Sequence, residues 1–340
     1  MARVTPLLLL AVLPLAHAAS PQDLASCRDI ENQAERLVCY DRLAGRAAID
    51  EGAGNVTEAA RHEPEPEAAP ASLLGRAWEL DESERGQTLR LRPYKPVYVL
   101  PFAYGSRLNA YPNTPSAGHT STTPAIYDHS EAKFQISLKV KMLEDVFGEN
   151  GDLWFGYTQS SHWQVFSGVS SRPFRETNYE PEAMLVWRTD YQLGGWRGRM
   201  LGLGVNHQSN GQSLPQSRSW NRVIANIALE KDEWTVALRP WWRIPESARQ
   251  DDNPDIANYL GRADLQLIRA FGGHQLSLTL RHSLRGGNNA HGAAQLDYAF
   301  PIAGSMRGHL QWFSGYGESL IDYNHRSNYY GVGISMLEWY

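Results

Sequence analysis

With only two cysteines in 340 residues, the chain has too few for a disulfide-stapled scaffold or a cysteine-rich metal site. Basic residues are not in excess. The 32 Lys and Arg stand against 37 Asp and Glu, a net charge of -5, which leaves no electropositive field and excludes nucleic acid as a partner. Beyond the first twenty residues, no apolar run approaches the ~20 residues that a membrane-spanning helix needs. A helical membrane protein is therefore excluded. A transmembrane β-barrel is not, because its signal is a series of short alternating segments. The chain is well supplied with interfacial aromatics, 16 Tyr and 11 Trp.

Residues 1–18 read as a secretory signal peptide, with Arg3 as the positive region, Leu7 to Leu15 as the apolar core and Ala16-His17-Ala18 as the cleavage site. Export permits oxidation of Cys27 and Cys39. Twelve residues of continuous helix would hold these cysteines ~18 Å apart, too far to bond. A bridge, which export favours, requires two short helices folded back on each other. Leu24, Ile30, Leu37, Val38 and Leu43 recur at helical spacing, so residues 19–50 are expected to form a small helical periplasmic segment. Residues 51–75, which include Glu63-Pro64-Glu65-Pro66-Glu67, bury too little to offset ordering and read as a flexible linker. Residues 76–340 are then the barrel domain.

Twelve strands are expected, at 93–105, 131–144, 152–164, 177–191, 198–209, 219–230, 233–244, 257–271, 274–285, 291–301, 305–317 and 328–340. In the second, Phe134, Ile136, Leu138, Val140 and Met142 share one face and Gln135, Ser137, Lys139 and Lys141 the other. The count is even, and tight connections such as Gly194-Gly195, Lys231-Asp232 and Gly272-Gly273 alternate with long ones such as 106–130 and 245–256. Short periplasmic turns alternating with longer outer loops are the asymmetry of an outer-membrane barrel. The last strand carries Tyr330, Val332, Ile334 and Met336 on one parity and closes on Tyr340, like the C-terminal signal of bacterial outer-membrane proteins. The fold class expected is all-β, a twelve-stranded antiparallel transmembrane β-barrel. The competing fold is a secreted β-sandwich, in which the apolar face would be the core.

Chemistry concentrates in Val205 to Ser213 and Ser217 to Arg222. Leu201, Leu203, Val205, His207 and Ser209 share a face, as do Asn221, Val223, Ala225, Ile227 and Leu229 on the next strand. His207, Ser209 and Asn221 therefore interrupt two lipid-facing stripes, where polar groups are costly unless bonded to one another. Positions i and i+2 lie ~6.6 Å apart on one face and neighbouring strands ~4.8 Å apart, so a Ser–His–Asn chain is within reach. Such a chain suits acyl transfer: Ser209 as nucleophile, His207 as general base and then acid, and Asn221 fixing the imidazole tautomer. With periplasmic termini the cluster falls near the outer rim, where outer-leaflet esters lie.

These segments, together with Phe174 to Pro181, Asp251 to Ile256 and Ser314 to Asn324, resemble outer-membrane phospholipase A, in order, from about Tyr94 to Tyr340. The resemblance implies a calcium-dependent twelve-stranded barrel, active as a homodimer, that hydrolyses phospholipids and lysophospholipids. It places the catalytic set on Ser209, His207 and Asn221, and the oxyanion donor at the Gly211 N–H. It implies Ca2+ held by the Gln212 carbonyl, the Ser217 hydroxyl and Ser171 of the partner subunit, with Asp252 matching a further position; oxygen donors suit this hard cation. Gln159 matches a residue of the dimer interface. Leu214 departs from the pattern, because the best-known relatives carry an acid there, and a second, dimer-independent calcium site loses that ligand. The rival function is a non-catalytic structural or porin-like barrel, whose lumen Arg222, Asn226, Glu230, Arg239 and Arg243 would fill with polar pairs.

Overall fold

A strand that alternates apolar and polar side chains separates two environments, and a sheet of such strands must close on itself to leave no edge. In the computed structural model, which describes residues 27–30, 32–43, 72–86, 88–169 and 171–339, the sheet does close. The signal segment 1–18, residues 19–26 and 44–50 of the helical segment, and residues 51–71 of the linker lie outside the described residues. The strands are β1 (Leu91–Pro93), β2 (Val97–Gly105), β3 (Ser130–Leu143), β4 (Asp152–Trp163), β5 (Phe174–Leu193), β6 (Trp196–Ser209) and β7 (Ser219–Lys231). They continue as β8 (Trp234–Ile244), β9 (Ala263–Phe271), β10 (His274–His282), β11 (Gly292–Ala303), β12 (Met306–Tyr316) and β13 (Arg326–Leu337). From β2 to β13 each strand pairs antiparallel with its sequence neighbours, and β13 returns to β2, giving a closed twelve-stranded barrel.

Two strand expectations are corrected. The first strand, expected at 93–105, is broken: β1 and β2 pair with successive parts of β3, Pro93 with Leu138 and Tyr98 with Gln135. Pro93 and Pro96 flank the break and have no N–H to give to the ladder. The strand expected at 257–271 starts only at Ala263, because Ile256–Tyr259 is a short helix, α3. Ile256 and Leu260, one helical turn apart, are buried with Trp220, Trp241, Leu320 and Tyr323 beneath the outer loops. An apolar run with that spacing was ambiguous between the two periods.

The outward face is apolar: Leu203, Val205 and Trp242 are 48%, 55% and 67% exposed, and Val99, Ile136, Phe155, Leu310 and Tyr330 are also exposed. The buried face is polar, with Lys133, Glu182, Asn206, Arg222, Arg239 and Asp297 inside. This is the pattern of a barrel in lipid and the inverse of a sandwich. The expected inward arginines are paired, Arg222 with Glu180 at 3.1 Å and Arg239 with Glu182 at 3.3 Å. Arg243, at the outer end of β8, bonds the loop residue Asp251 at 2.5 Å.

The tight-turn end of the lumen is corked by the chain's own residues. Helix α2 (Leu73–Trp78) starts within the segment read as linker, where the Ser72 hydroxyl accepts from Gly75 N at 2.7 Å and donates to Glu230 at 2.7 Å. Leu74 and Trp78 are buried against Trp154, Met184, Val186, Met200, Ala228 and Ala237, the inward residues of β4 to β8. The Trp78 ring lies 3.6 Å from Lys139 Nζ and packs edge-on to Tyr94 and Trp154. Glu79, fully buried, binds Lys141 at 2.8 Å and Arg92 at 2.5 Å. Trp78→Ala removes both the ring packing and the cation contact. It is expected to cost about 3–5 kcal/mol of barrel stability, read from denaturant unfolding in vesicles; an unchanged midpoint would mean that the cork adds no stability.

The described part of the N-terminal unit is a helical hairpin. Residues 27 and 28 are helical, the chain turns, and α1 (Gln33–Leu43) brings Cys39 back to Cys27. The two form a disulfide with Cα atoms 5.6 Å apart, by the fold-back that the spacing requires.

Candidate functional site

The site starts from register. β6 and β7 pair with His207 opposite Asn221 and Ser209 opposite Ser219. These positions follow Leu203 and Val205 on the outward parity at the long-loop end of β6, whereas Asn206 is buried inside. His207 Nδ1 and Asn221 Oδ1 are 2.8 Å apart, so the imidazole N–H donates to the amide oxygen. Ser209 lies two positions farther toward the rim. Among the described residues no hydrogen bond joins its hydroxyl to His207; such contacts commonly tighten only with substrate present.

Beneath the outward pair the interior is braced. Trp220 Nε1 donates to Gln208 at 2.9 Å, the Arg222 guanidinium lies 4.2 Å from the Trp220 ring, and Arg222 also bonds Asn206 and Glu180. A satisfied network of this kind fixes the two strands that carry the pair.

Glu246, in the loop after β8, was missed by sequence reasoning. Asn221 Nδ2 donates to Glu246 Oε1 at 2.8 Å, and Glu246 Oε2 lies 3.7 Å from the Arg243 guanidinium. Asn221 is opposite Ile244 in the β7–β8 register, so Glu246, two residues on, continues the same face. The register would have exposed it; the sequence alone does not give the register. Burial pushes the Glu246 carboxyl above its ordinary value, against the pull of Arg243.

The loop after β6 is tied by buried Asn210. Its side-chain oxygen accepts from Arg218 N at 2.9 Å and Gln212 N at 3.3 Å, and its amide donates to Gln216 O at 2.8 Å. Gly211 has φ +62°, and a Cβ there would stand 3.1 Å from the Tyr179 ring, so both backbone and space call for glycine. Its N–H donates no hydrogen bond among the described residues and is free to serve an incoming oxygen.

The candidate metal ligands are partly gathered. Asp252 Oδ2 accepts from Ser217 at 2.7 Å and Ser219 at 3.1 Å, and Asp252 Oδ1 is 3.0 Å from His119 Nε2. The Gln212 side chain is held by Glu176 at 3.0 Å, and its carbonyl accepts no hydrogen bond among the described residues. A hydroxyl next to a carboxylate, with a carbonyl from the same loop, is the oxygen donor set of a hard cation, so these residues fit Ca2+ in kind. Ser171 is exposed in the loop after β4, and among the described residues no hydrogen bond joins it to Gln212, Ser217 or Asp252. Leu214 is 61% exposed on the Gln212–Ser217 loop. Gln159 is on the outward parity of β4, where its side-chain oxygen accepts from Tyr157 at 3.0 Å, an amide set in the apolar face.

The sequence profile of the family described as Phospholipase A1 matches residues 74–336. A putative phospholipase A1 of Neisseria meningitidis serogroup B is 38% identical over 96% of this chain and 94% of its own length. Among solved structures, outer membrane phospholipase A from Escherichia coli is 36% identical, with a TM-score of 0.66 over 74% of this chain and 95% of that one. The Salmonella typhi outer membrane phospholipase dimer with bound calcium is 36% identical, with a TM-score of 0.67 over 78% of this chain and 97% of that one.

Proposed function

Because the chain belongs to the phospholipase A1 family of outer-membrane barrels, we propose that its lipid-facing Ser209, His207 and Asn221 hydrolyse acyl esters of phospholipids and lysophospholipids. The 2.8 Å bond between His207 Nδ1 and Asn221 Oδ1, on the apolar face, carries this reading. With Nδ1 donating, Nε2 is left to accept the Ser209 proton as Oγ attacks the ester carbonyl. His207 then returns that proton to the leaving alcohol, and water releases the fatty acid by the same steps in reverse order. The Gly211 N–H, which donates no hydrogen bond among the described residues, would receive the developing oxyanion. Calcium would be held by the Gln212 carbonyl, the Ser217 hydroxyl and Asp252, and would supply positive charge to the site when bound.

Ser171, exposed in the loop after β4, would be donated to the partner subunit's site in a homodimer. Gln159, an amide on the outward face of β4, would bond across the same interface. The Salmonella typhi relative is a dimer with bound calcium, which supports a homodimer and a calcium site in this reading. A single convex barrel offers no cleft for acyl chains, whereas two barrels side by side form one.

The test uses phosphatidylcholine carrying a different acyl chain at each position, and lysophosphatidylcholine, given to the detergent-purified protein with calcium. Release of both acyl chains and of the lysophospholipid chain is the expected result, defining A1, A2 and lysophospholipase activity together. Absence of any release where crosslinking shows dimers, with ion conductance in planar bilayers, would favour the porin-like barrel instead.

A further inference from the structure

We infer that Glu246 is a positioning residue for this hydrolysis: its carboxylate fixes the orientation of the Asn221 amide and places a negative charge behind a catalytic set that has none of its own. The inference rests on the Ser209–His207–Asn221 reading. An asparagine side chain is nearly symmetrical in shape, and packing alone does not decide which end faces a neighbour. If the amide were turned over, its NH2 would face His207 Nδ1. The imidazole proton would then sit on Nε2, which could not accept from Ser209. A carboxylate accepts and does not donate. Glu246 Oε1, 2.8 Å from Asn221 Nδ2, therefore requires the amide nitrogen on its own side and leaves Oδ1 toward His207.

The placement also answers an electrostatic problem. A carboxylate at position 221 would lie on the lipid-facing stripe, where ionised groups are costly. Glu246 lies off the strand in the outer loop. Its side chain is 19% exposed and its second oxygen faces Arg243, itself bonded to Asp251 at 2.5 Å. The charge is thus held off the lipid-facing strand and beside a guanidinium, and acts on His207 through the polarised amide.

The test is a double-mutant cycle on phospholipid hydrolysis at saturating calcium. Heat-modifiable electrophoretic migration confirms a folded barrel for each variant. Glu246→Gln is neutral and can present either end to Asn221; kcat is expected to fall about tenfold, or about 1.4 kcal/mol, with KM within about twofold. Asn221→Asp places two carboxylates face to face, so it is expected to be slow. Adding Glu246→Gln to Asn221→Asp is expected to raise kcat, reversing the sign of its effect in the wild-type background. Glu246→Ala provides the same comparison if the glutamine variant does not fold. No loss in Glu246→Gln, or an equal loss in both backgrounds, would overturn the inference and leave Glu246 a loop residue. Ser209→Ala and Asn221→Ala separate the two levels. Wild-type rates in both would overturn the triad itself, whereas losses in both with an additive cycle would overturn only the role of Glu246.

Discussion

Ser209→Ala is expected to lower fatty-acid release from phospholipid by about 10⁴-fold or more, as loss of the nucleophile does in other serine hydrolases, while the barrel stays folded. The side chain caps the outward stripe of β6 at its loop end, opposite Ser219, and makes no hydrogen bond among the described residues that the fold would lose. His207→Ala is expected to give a similar loss, and the double variant a loss no greater than either single one, because groups that act as a unit are not additive. Independent, additive losses at the two positions would mean that Ser209 and His207 do not share a proton.

The second large effect concerns the metal. Chelation, or Ser217→Ala, is expected to lower activity by about 10²–10³-fold, the scale of losing one oxyanion partner, with the fold unchanged. The 2.7 Å bond from the Ser217 hydroxyl to Asp252 brings the two candidate ligand oxygens together. Asp252→Asn should therefore raise the calcium concentration needed for half-maximal activity more than it changes the rate at saturation. Calcium titration of the hydrolysis rate in the variants checks both outcomes. Undiminished hydrolysis in chelator would keep the serine enzyme and remove the metal from it.

How legible the molecule was depended on period and register. The barrel was readable because lipid and lumen impose strict alternation: the outward parities of β6 and β13 expected from the sequence are largely exposed, and that of β7 is half-buried where Arg222, Ile224 and Ala228 opposite are buried. The same alternation placed His207 and Asn221 on one face, and the structure brings them to 2.8 Å. Where side chains answered to packing beneath loops, the signal failed: residues 257–262 were read into a strand, whereas Ile256 and Leu260 are buried with Trp241 and Tyr323 in a small loop core. The cork was also not readable. Ser72 to Glu79 is too short a run to show helical periodicity, and its meaning comes from Trp154, Lys139 and Lys141 on distant strands. Glu246 and His119 belong to the same class, because each is brought to the site by pairings that only the closed sheet and the folded outer loops create.

The most direct measurement is where a lipid-like phosphonate ester reacts, since such reagents bond covalently to a serine that a base has activated. The expected result, for the protein in detergent micelles with calcium, is one adduct per chain, mapped by mass spectrometry to Ser209. Hydrolysis should be lost in proportion to labelling, and labelling should be abolished in His207→Ala. Full labelling at another residue, or undiminished hydrolysis by chains fully modified at Ser209, would contradict the account.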